Sequence, residues 1–225
     1  VNIEKLYINK GKVDLKFENS GADQIIVDNG LIKKWDLDIR GSKIYILSHG
    51  EGDFSKNYDI ESKVKADATL LEIFNVLISK ASGTLLGSVH NYKNFYEEDY
   101  EAKLVSNNLT MSSDYMPLLL TNGDLLVNYK KKKIILNKLK AQLNSGTLLV
   151  NGEVDISRVI PDINVRYEFK NAGIPLLKKS SITFSGKGSF VGKTVPYTLG
   201  GEFQIQKCNI VNEITDFTGG ENIVK

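Results

Sequence analysis

The stretch at residues 186–194 has the composition of a phosphate-binding loop. Gly192-Lys193-Thr194 provides the glycine, lysine and hydroxyl of a motif whose backbone N–H groups and lysine hold nucleotide phosphates. That motif needs another glycine five residues before Gly192, where this chain has Lys187. A phosphate loop also opens a helix, whereas Val195-Pro196 and an alternating segment follow here. The sequence therefore predicts no nucleotide binding, and the glycines indicate an edge or a bulge between two strands.

Other reactive residue types are scattered along the chain. His49 and His90 belong to no Ser-His-Asp or metal-spaced pattern, and the pair Asp36 and Asp38 fits a solvated strand face. The acidic run at residues 97–99 fits a solvated loop in the same way, and nothing demands an acid–base pair. These patterns predict that the chain is not an enzyme and that it has no metal or cofactor site.

Charge and composition set broad limits. The 225 residues carry 29 basic and 27 acidic side chains, so the net charge of +2 does not indicate a nucleic-acid binder. The single cysteine excludes an internal disulfide framework. The one charge block is Lys130-Lys131-Lys132-Lys133, which indicates an exposed hairpin tip that discourages aggregation. Attraction to anionic lipid head groups is the alternative interpretation of the block.

The chain begins with Val1, which favours a mature product or a fragment of a longer protein. No apolar run approaches the roughly 20 residues that span a bilayer. If the parent protein is anchored in a membrane, we expect the anchor to lie outside this chain.

Hydrophobic residues alternate with a period of two along most of the sequence, which predicts strands with one apolar and one polar face. The clearest runs contain Ile163, Val165, Tyr167 and Phe169, and Tyr197, Leu199, Phe203 and Ile205. Turn-forming residues separate the runs: Asn9-Lys10-Gly11, Asp28-Asn29-Gly30, His49-Gly50-Glu51-Gly52, Asn122-Gly123-Asp124 and Asn171-Ala172-Gly173. The pattern predicts an all-β chain.

One segment departs from this period. Apolar residues at helical spacing predict a short amphipathic helix near residues 69–79, with Thr69 and Glu72 forming a capping box. It could close or cap part of the sheet, and the simpler interpretation, which we favour, is a hydrophobic element packed on a sheet end.

A glycine-bounded phrase recurs along the chain. Residues 82–89 read SGTLLGSV, residues 145–154 read SGTLLVNGEV, and a looser version occupies residues 185–192. Such recurrence indicates stacked repeat units, which we place at about 1–82, 83–152 and 153–211, with a linker or tail at 212–225.

These phrases resemble the repeat of the TamB C-terminal family (translocation and assembly module TamB), within the AsmA-like superfamily. The similarity lies in residues 188–205, 146–156 and 67–71, and in the phrase that begins at Ser82. It covers nearly the whole chain and is strongest from residue 83 to residue 210. The unit that begins at Gly83 has Tyr92-Lys93-Asn94-Phe95 where the family has a proline.

The resemblance implies an elongated β-taco, an open β-groove of antiparallel or mixed strands with an apolar interior. It implies a segment of a bridge-like protein that crosses the periplasm of a Gram-negative bacterium from an inner-membrane anchor. Such a protein conducts phospholipid to the outer membrane and supports outer-membrane biogenesis. The implied partners are phospholipid acyl chains, an Omp85-family outer-membrane barrel (TamA-like) and outer-membrane protein clients. The implied groove lining is Leu148, Val150, Val154, Ile156, Ile163, Val165, Tyr167, Phe169, Ile182, Phe184, Phe190, Leu199, Phe203 and Ile205.

Periodicity alone leaves other interpretations open. The same side chains could pack an ordinary core between two sheets about 10 Å apart, which would leave no room for a guest molecule. A scaffold or chaperone module that pairs its strand edges with outer-membrane proteins is the alternative function. An adhesin β-solenoid and a β-rich hydrolase are further classes.

Overall fold

The computed structural model describes residues 5–10, 13–19, 24–74, 78–94, 98–114, 118–177 and 180–210. The predicted tail at 212–225 and the end of the predicted helix at 75–77 lie outside these ranges. The described strands are β1 Lys5–Lys10, β2 Val13–Asn19, β3 Gln24–Asp28, β4 Leu31–Gly41, β5 Ile44–Asp53, β6 Asn57–Asp67, β7 Lys80–Lys93, β8 Glu98–Ser112, β9 Leu119–Lys130, β10 Lys133–Leu143, β11 Gly146–Asp155, β12 Asp162–Leu177, β13 Ser180–Gly192 and β14 Thr198–Asn209.

All of these strands belong to one antiparallel sheet. From β4 to β14 each strand pairs with the next one along the chain, while β2 and β3 both pair with β4. The described strands β1 and β14 form the two edges and do not pair with each other, so the sheet is open. The order from β1 through β2 and β4 to β14 contains thirteen strands, and at about 4.8 Å between neighbours they extend over roughly 60 Å. The predicted all-β fold is confirmed, and the open antiparallel sheet is consistent with an elongated groove.

The two faces of the sheet differ in chemistry. In β6, Tyr58, Ile60 and Val64 face one side, while Glu61 and Lys63 face the other. Strand register carries this division from β3 to β14, and we call the two sides the apolar face and the polar face. In the other strands, the apolar face includes Ile32, Ile46, Leu85, Val89, Leu104, Leu109, Leu125, Val127, Leu136, Leu139, Val150 and Val165.

A short helical segment lies between β6 and β7. It consists of a 3-10 turn at Ala68–Leu70 and an α-helix, α1, at Leu71–Phe74. Ala68 is fully buried in a cluster with Ala81, Leu85 and Leu109, so the segment covers the apolar face at that end of the strands. This placement agrees with the predicted capping element.

The predicted capping box is wrong in its details. Asp67 is the N-cap, and its carboxylate accepts a hydrogen bond from the Thr69 backbone N–H at 2.8 Å. The Thr69 hydroxyl instead accepts a hydrogen bond from Lys43 Nζ, and Glu72 accepts one from the Ala81 backbone N–H. Glu72 therefore ties the helical segment to β7 rather than to its own first turn.

Three of the predicted turns are also wrong, because their residues lie inside strands. Gly50 and Gly52 belong to β5, Asn122-Gly123 belongs to β9, and Asn171-Ala172 belongs to β12. Asn122 and Asn171 have positive φ angles of 50° and 52° at shifts of strand register, which identifies β-bulges. A bulge and a turn share the need for a left-handed residue, and asparagine supplies it in both.

The bulges form a line across the sheet. Gly83 in β7 and Asn108 in β8 have positive φ at register shifts, in line with Asn122 in β9 and Asn171 in β12. A bulge bends its strand. Buried apolar residues of β7 to β12 lie close to this line, at the nearby ends of the strands: Ala81, Leu109, Leu120, Leu143 and Ala172. The aligned bulges therefore lie next to the margin at which the apolar face is buried.

A second packed cluster lies at the opposite ends of β4 to β6. Ile32, Tyr58 and Ile60 are buried there, with Trp35 and Phe54 packed against them. A Cβ on Gly50 would lie only 3.1 Å from Trp35 Cγ, so glycine is the residue that lets the indole approach the sheet. The Trp35 Nε1–H donates to the Ser48 hydroxyl at 3.0 Å. The cluster anchors this end of the apolar face.

The lysine block forms a hairpin tip, as the sequence predicts. Lys131 and Lys132 connect β9 and β10 with positive φ angles of 50° and 60°. This is the geometry of a two-residue hairpin turn that asparagine and glycine usually occupy.

The repeated phrases fall in β7, β11 and β13, and their glycines differ in role. Gly83 has a φ of 122° at a register shift, whereas Gly146 directly follows the Asn144-Ser145 turn. The phrase therefore recurs in sequence while its leading glycine meets a different local geometry each time.

Candidate functional site

The candidate site is the apolar face of β11 to β14. Register places thirteen of the fourteen predicted lining residues on this one face, in cross-strand rows such as Val150 beside Tyr167 and Val165 beside Phe190. The exception is Ile156. It follows the end of β11, is 39% exposed, and donates its backbone N–H to the Lys132 carbonyl. Ile156 lies in the β11–β12 connection because its strand ends one residue earlier.

Four rings form an aromatic cluster on this face. Tyr167, Phe169, Phe184 and Phe203 pack with ring centroids 5.4 to 6.3 Å apart. The Tyr167 hydroxyl donates to the Gly200 carbonyl at 3.0 Å, which satisfies its polar end at the strand edge. Aromatic side chains with one satisfied polar atom supply a large and ordered apolar surface.

The glycines of the loop-like segment explain how these rings lie on the sheet. A Cβ on Gly186 would lie 2.6 Å from the Phe203 ring, and a Cβ on Gly188 would lie 2.5 Å from the Tyr167 hydroxyl oxygen. Both glycines belong to β13, and β14 follows after a bend, so no helix opens at Lys193-Thr194. The segment is therefore a strand whose glycines make room for aromatic rings. It does not have the geometry of a phosphate loop.

Exposure of the apolar face rises toward β14. Leu109 in β8 is 1% exposed, whereas Leu199, Phe203 and Ile205 in β14 are 70%, 51% and 61% exposed. Val89 and Tyr100 are partly exposed at the strand ends that lie away from the helical segment. The face is thus covered along the bulge line and at the Trp35 cluster, and it is most accessible in β14.

A tyrosine pair marks the exposed margin. The rings of Tyr100 and Tyr129 stack with centroids 4.7 Å apart, and the Tyr129 hydroxyl donates to the Tyr100 hydroxyl at 2.8 Å. This hydrogen bond stabilises the neutral phenol and raises the pKa of Tyr129 to about 12. The pair gives the apolar face a polar rim.

Both histidines lie on the polar face, in one cross-strand row. His49 Nδ1 is 2.7 Å from an Asp36 carboxylate oxygen, and His90 Nε2 is 2.9 Å from one of Asp59. Glu61 pairs with both histidines in strand register. The hydrogen bond with Asp36 raises the pKa of the His49 imidazole above its usual value. These are exposed cross-strand pairs, and none of the hydrogen bonds described for either imidazole goes to a serine or cysteine.

In the described ranges, no three His, Cys, Asp or Glu side chains group as a metal site would require. Within the same ranges, no helix has the length and hydropathy to cross a membrane. Cys208 is exposed as a free thiol in β14.

Shallow depressions occur on the polar face. The largest of those described has a volume of about 750 Å³ over β11 to β14 and is bordered by Arg166, Glu168, Lys187 and Glu202. Another, with a volume of about 420 Å³, lies over β5 to β8 among three lysines. The sequence did not single out these lysines, because alternating strands place lysine on any solvated face.

Comparison with known proteins finds no matching family model, no matching curated protein and no matching solved structure. The fold and site define a class, an open antiparallel all-β sheet with one apolar face.

Proposed function

We propose that the chain is a segment of a bridge-like protein, similar to the TamB family, that conducts phospholipid between the inner and outer membranes of a Gram-negative bacterium. One observation carries the proposal. From β3 to β14, strand register keeps the apolar side chains on the same side of the sheet, including at the register shifts. Such a surface offers apolar contact along the whole width of the sheet.

The energetics favour an acyl chain as the occupant. Each methylene left in water costs about 0.8 kcal/mol, so burying a chain of sixteen carbons recovers on the order of 12 kcal/mol. Burial and dispersion are non-directional, so such a chain could move from strand to strand without breaking specific bonds. The partly exposed Leu199, Phe203 and Ile205 would be among the first contacts at the β14 end.

Site-specific photo-crosslinking tests the proposal. A diazirine amino acid at Val150 or Phe203, introduced in the parent protein in cells, should crosslink phospholipid. The matched controls are Leu149 and Gln204, which are the chain neighbours of these residues and face the other side of the sheet. Equal crosslinking at both members of a pair, or none at Val150 and Phe203, would contradict the proposal, as would the absence of lipid in native mass spectra of the purified protein.

The edge of β14 favours a second function. Its twelve residues are exposed along their full length, and among the described strands it pairs only with β13. An unpaired edge can add a strand from a client protein, so a scaffold that pairs with outer-membrane proteins is the alternative. Hydrogen exchange that slows in β14 when a client strand is added, without release of lipid, would favour this function.

A further inference from the structure

Three lysines on the polar face surround an apolar depression. Lys63, Lys65 and Lys103 border a space of about 420 Å³ whose floor is formed by Leu86 and Val105. Leu86 is 48% exposed although it is a large aliphatic residue on the face that faces solvent. A ligand-sized apolar surface with a basic rim therefore lies on the opposite side of the sheet from the apolar face.

Strand register fixes the arrangement. Lys63 in β6 pairs with Ser88 in β7, and Ser88 pairs with Lys103 in β8, so the two lysines lie two strands apart. Strand spacing makes this roughly 10 Å, and Lys65 lies about 7 Å from Lys63 along β6. The small Ser88 between the two lysines leaves the space open and adds a hydroxyl.

Among the described residues, these lysines make no direct contact with a carboxylate. Within the described part of the chain, the side chains of Lys63, Lys65 and Lys103 form no hydrogen bond or ion pair. Other basic residues of the polar face do form ion pairs, as Lys138 does with Asp124 at 3.3 Å and Arg40 with Asp38 at 2.7 Å.

Four carboxylates lie near this site. Glu61 is two residues before Lys63 on the same face and lies between His49 and His90 in strand register, and the other three are engaged by other groups. Glu101 pairs with Lys130, Asp38 pairs with Arg40, and the Asp67 carboxylate caps the helical segment. Three like charges at this spacing repel one another, and an anion placed among them would relieve that repulsion.

We propose that this depression binds an anionic amphiphile with a single apolar tail. The anionic head group lies between the Lys63 and Lys103 ammonium groups, with the Ser88 hydroxyl as an additional donor. The tail lies on Leu86 and Val105. The volume is at the small end of the range of about 300–1,000 Å³ typical of ligand pockets, which suits one tail rather than two.

Nuclear magnetic resonance titration of the whole chain tests this site. Dodecyl phosphate, kept below its critical micelle concentration, should shift the backbone amide signals of Leu86, Ser88 and Val105. Inorganic phosphate should bind far more weakly because it lacks the tail. Dodecylphosphocholine should also bind more weakly, because its choline cancels the phosphate charge. Equal affinity for either of these probes would overturn the assignment of ligand class.

Charge variants locate the interaction. The double variant Lys63→Gln/Lys103→Gln should raise the dissociation constant for dodecyl phosphate about tenfold, since each exposed charged contact contributes a few-fold. Lys63→Arg/Lys103→Arg should retain binding. The matched control Lys187→Gln removes one lysine from the same face and should change affinity less than twofold. An equal loss in this control would show a general charge effect and overturn the site.

The inference is independent of the proposed lipid path. Binding to the apolar face would shift the amide of Val150, and that shift should survive the Lys63→Gln/Lys103→Gln substitution. In the unsubstituted chain, a Leu86 shift without a Val150 shift would contradict the lipid path. The absence of a Leu86 shift in the same chain would contradict this site.

Discussion

Truncating Leu109 tests how much the covered part of the apolar face contributes to the free energy of unfolding. Its side chain is 1% exposed and packs in the cluster that contains Ala68, Ala81 and Leu85. Leu109→Ala removes three buried carbons, about 2.4 kcal/mol of transfer free energy, and leaves a cavity beneath the helical segment. With the cavity contribution, the free energy of unfolding should fall by about 3–4 kcal/mol.

Urea denaturation followed by far-ultraviolet circular dichroism measures this loss. Trp35 fluorescence gives a second probe, because the only tryptophan lies in the other packed cluster. The matched control is Leu47→Ala, which truncates a leucine that is 39% exposed on the polar face. The control should lose less than about 1 kcal/mol. Equal losses for the two variants would refute the assignment of the buried face.

Three further predictions concern the turns and the polar face. Asn144→Gly keeps the positive φ of 52° but removes the side-chain hydrogen bonds to β9 and β12, so urea denaturation should show a loss of about 1–2 kcal/mol. Lys131→Asn/Lys132→Gly fits both positive-φ turn positions better and should stabilise by about 1 kcal/mol, seen as a higher melting temperature. The folded-state pKa of His49 is raised, so its contribution to stability is present below the unfolded value of about 6.5 and is lost as pH rises through the folded value. Asp36→Asn should lower the His49 pKa in a proton NMR titration, and an unchanged value would contradict this pairing.

The alternation of side chains was sufficient to predict the faces of the sheet. A period of two depends only on strand geometry, so Val150, Val165 and Phe203 could be assigned to one face without knowledge of their neighbours. The tip at Lys131-Lys132 was predictable too, because four consecutive lysines interrupt two apolar runs. Both features are local in sequence.

Features that depend on distant strands were not predictable in this way. Asn122 and Asn171 have the same left-handed backbone in a bulge as in a turn, so residue type alone does not separate the two. Gly186 and Gly188 resemble a phosphate loop until the rings of Phe203 and Tyr167 are placed against them. The burial of Leu109 depends on a helical segment that precedes it by more than thirty residues.

The antiparallel meander from β4 to β14 keeps the two proposed surfaces separate. A one-residue slip in register would move every side chain of a strand to the opposite face, exchanging Val64 for Lys63 or Val150 for Leu149. The bulge line changes register in paired strands while it preserves the side on which the apolar residues emerge: Phe169 and Ala172 both lie on the apolar face on either side of Asn171. The apolar face and the lysine-bordered depression therefore lie back to back across a single sheet. Each can be altered by surface substitutions that leave the other face chemically unchanged.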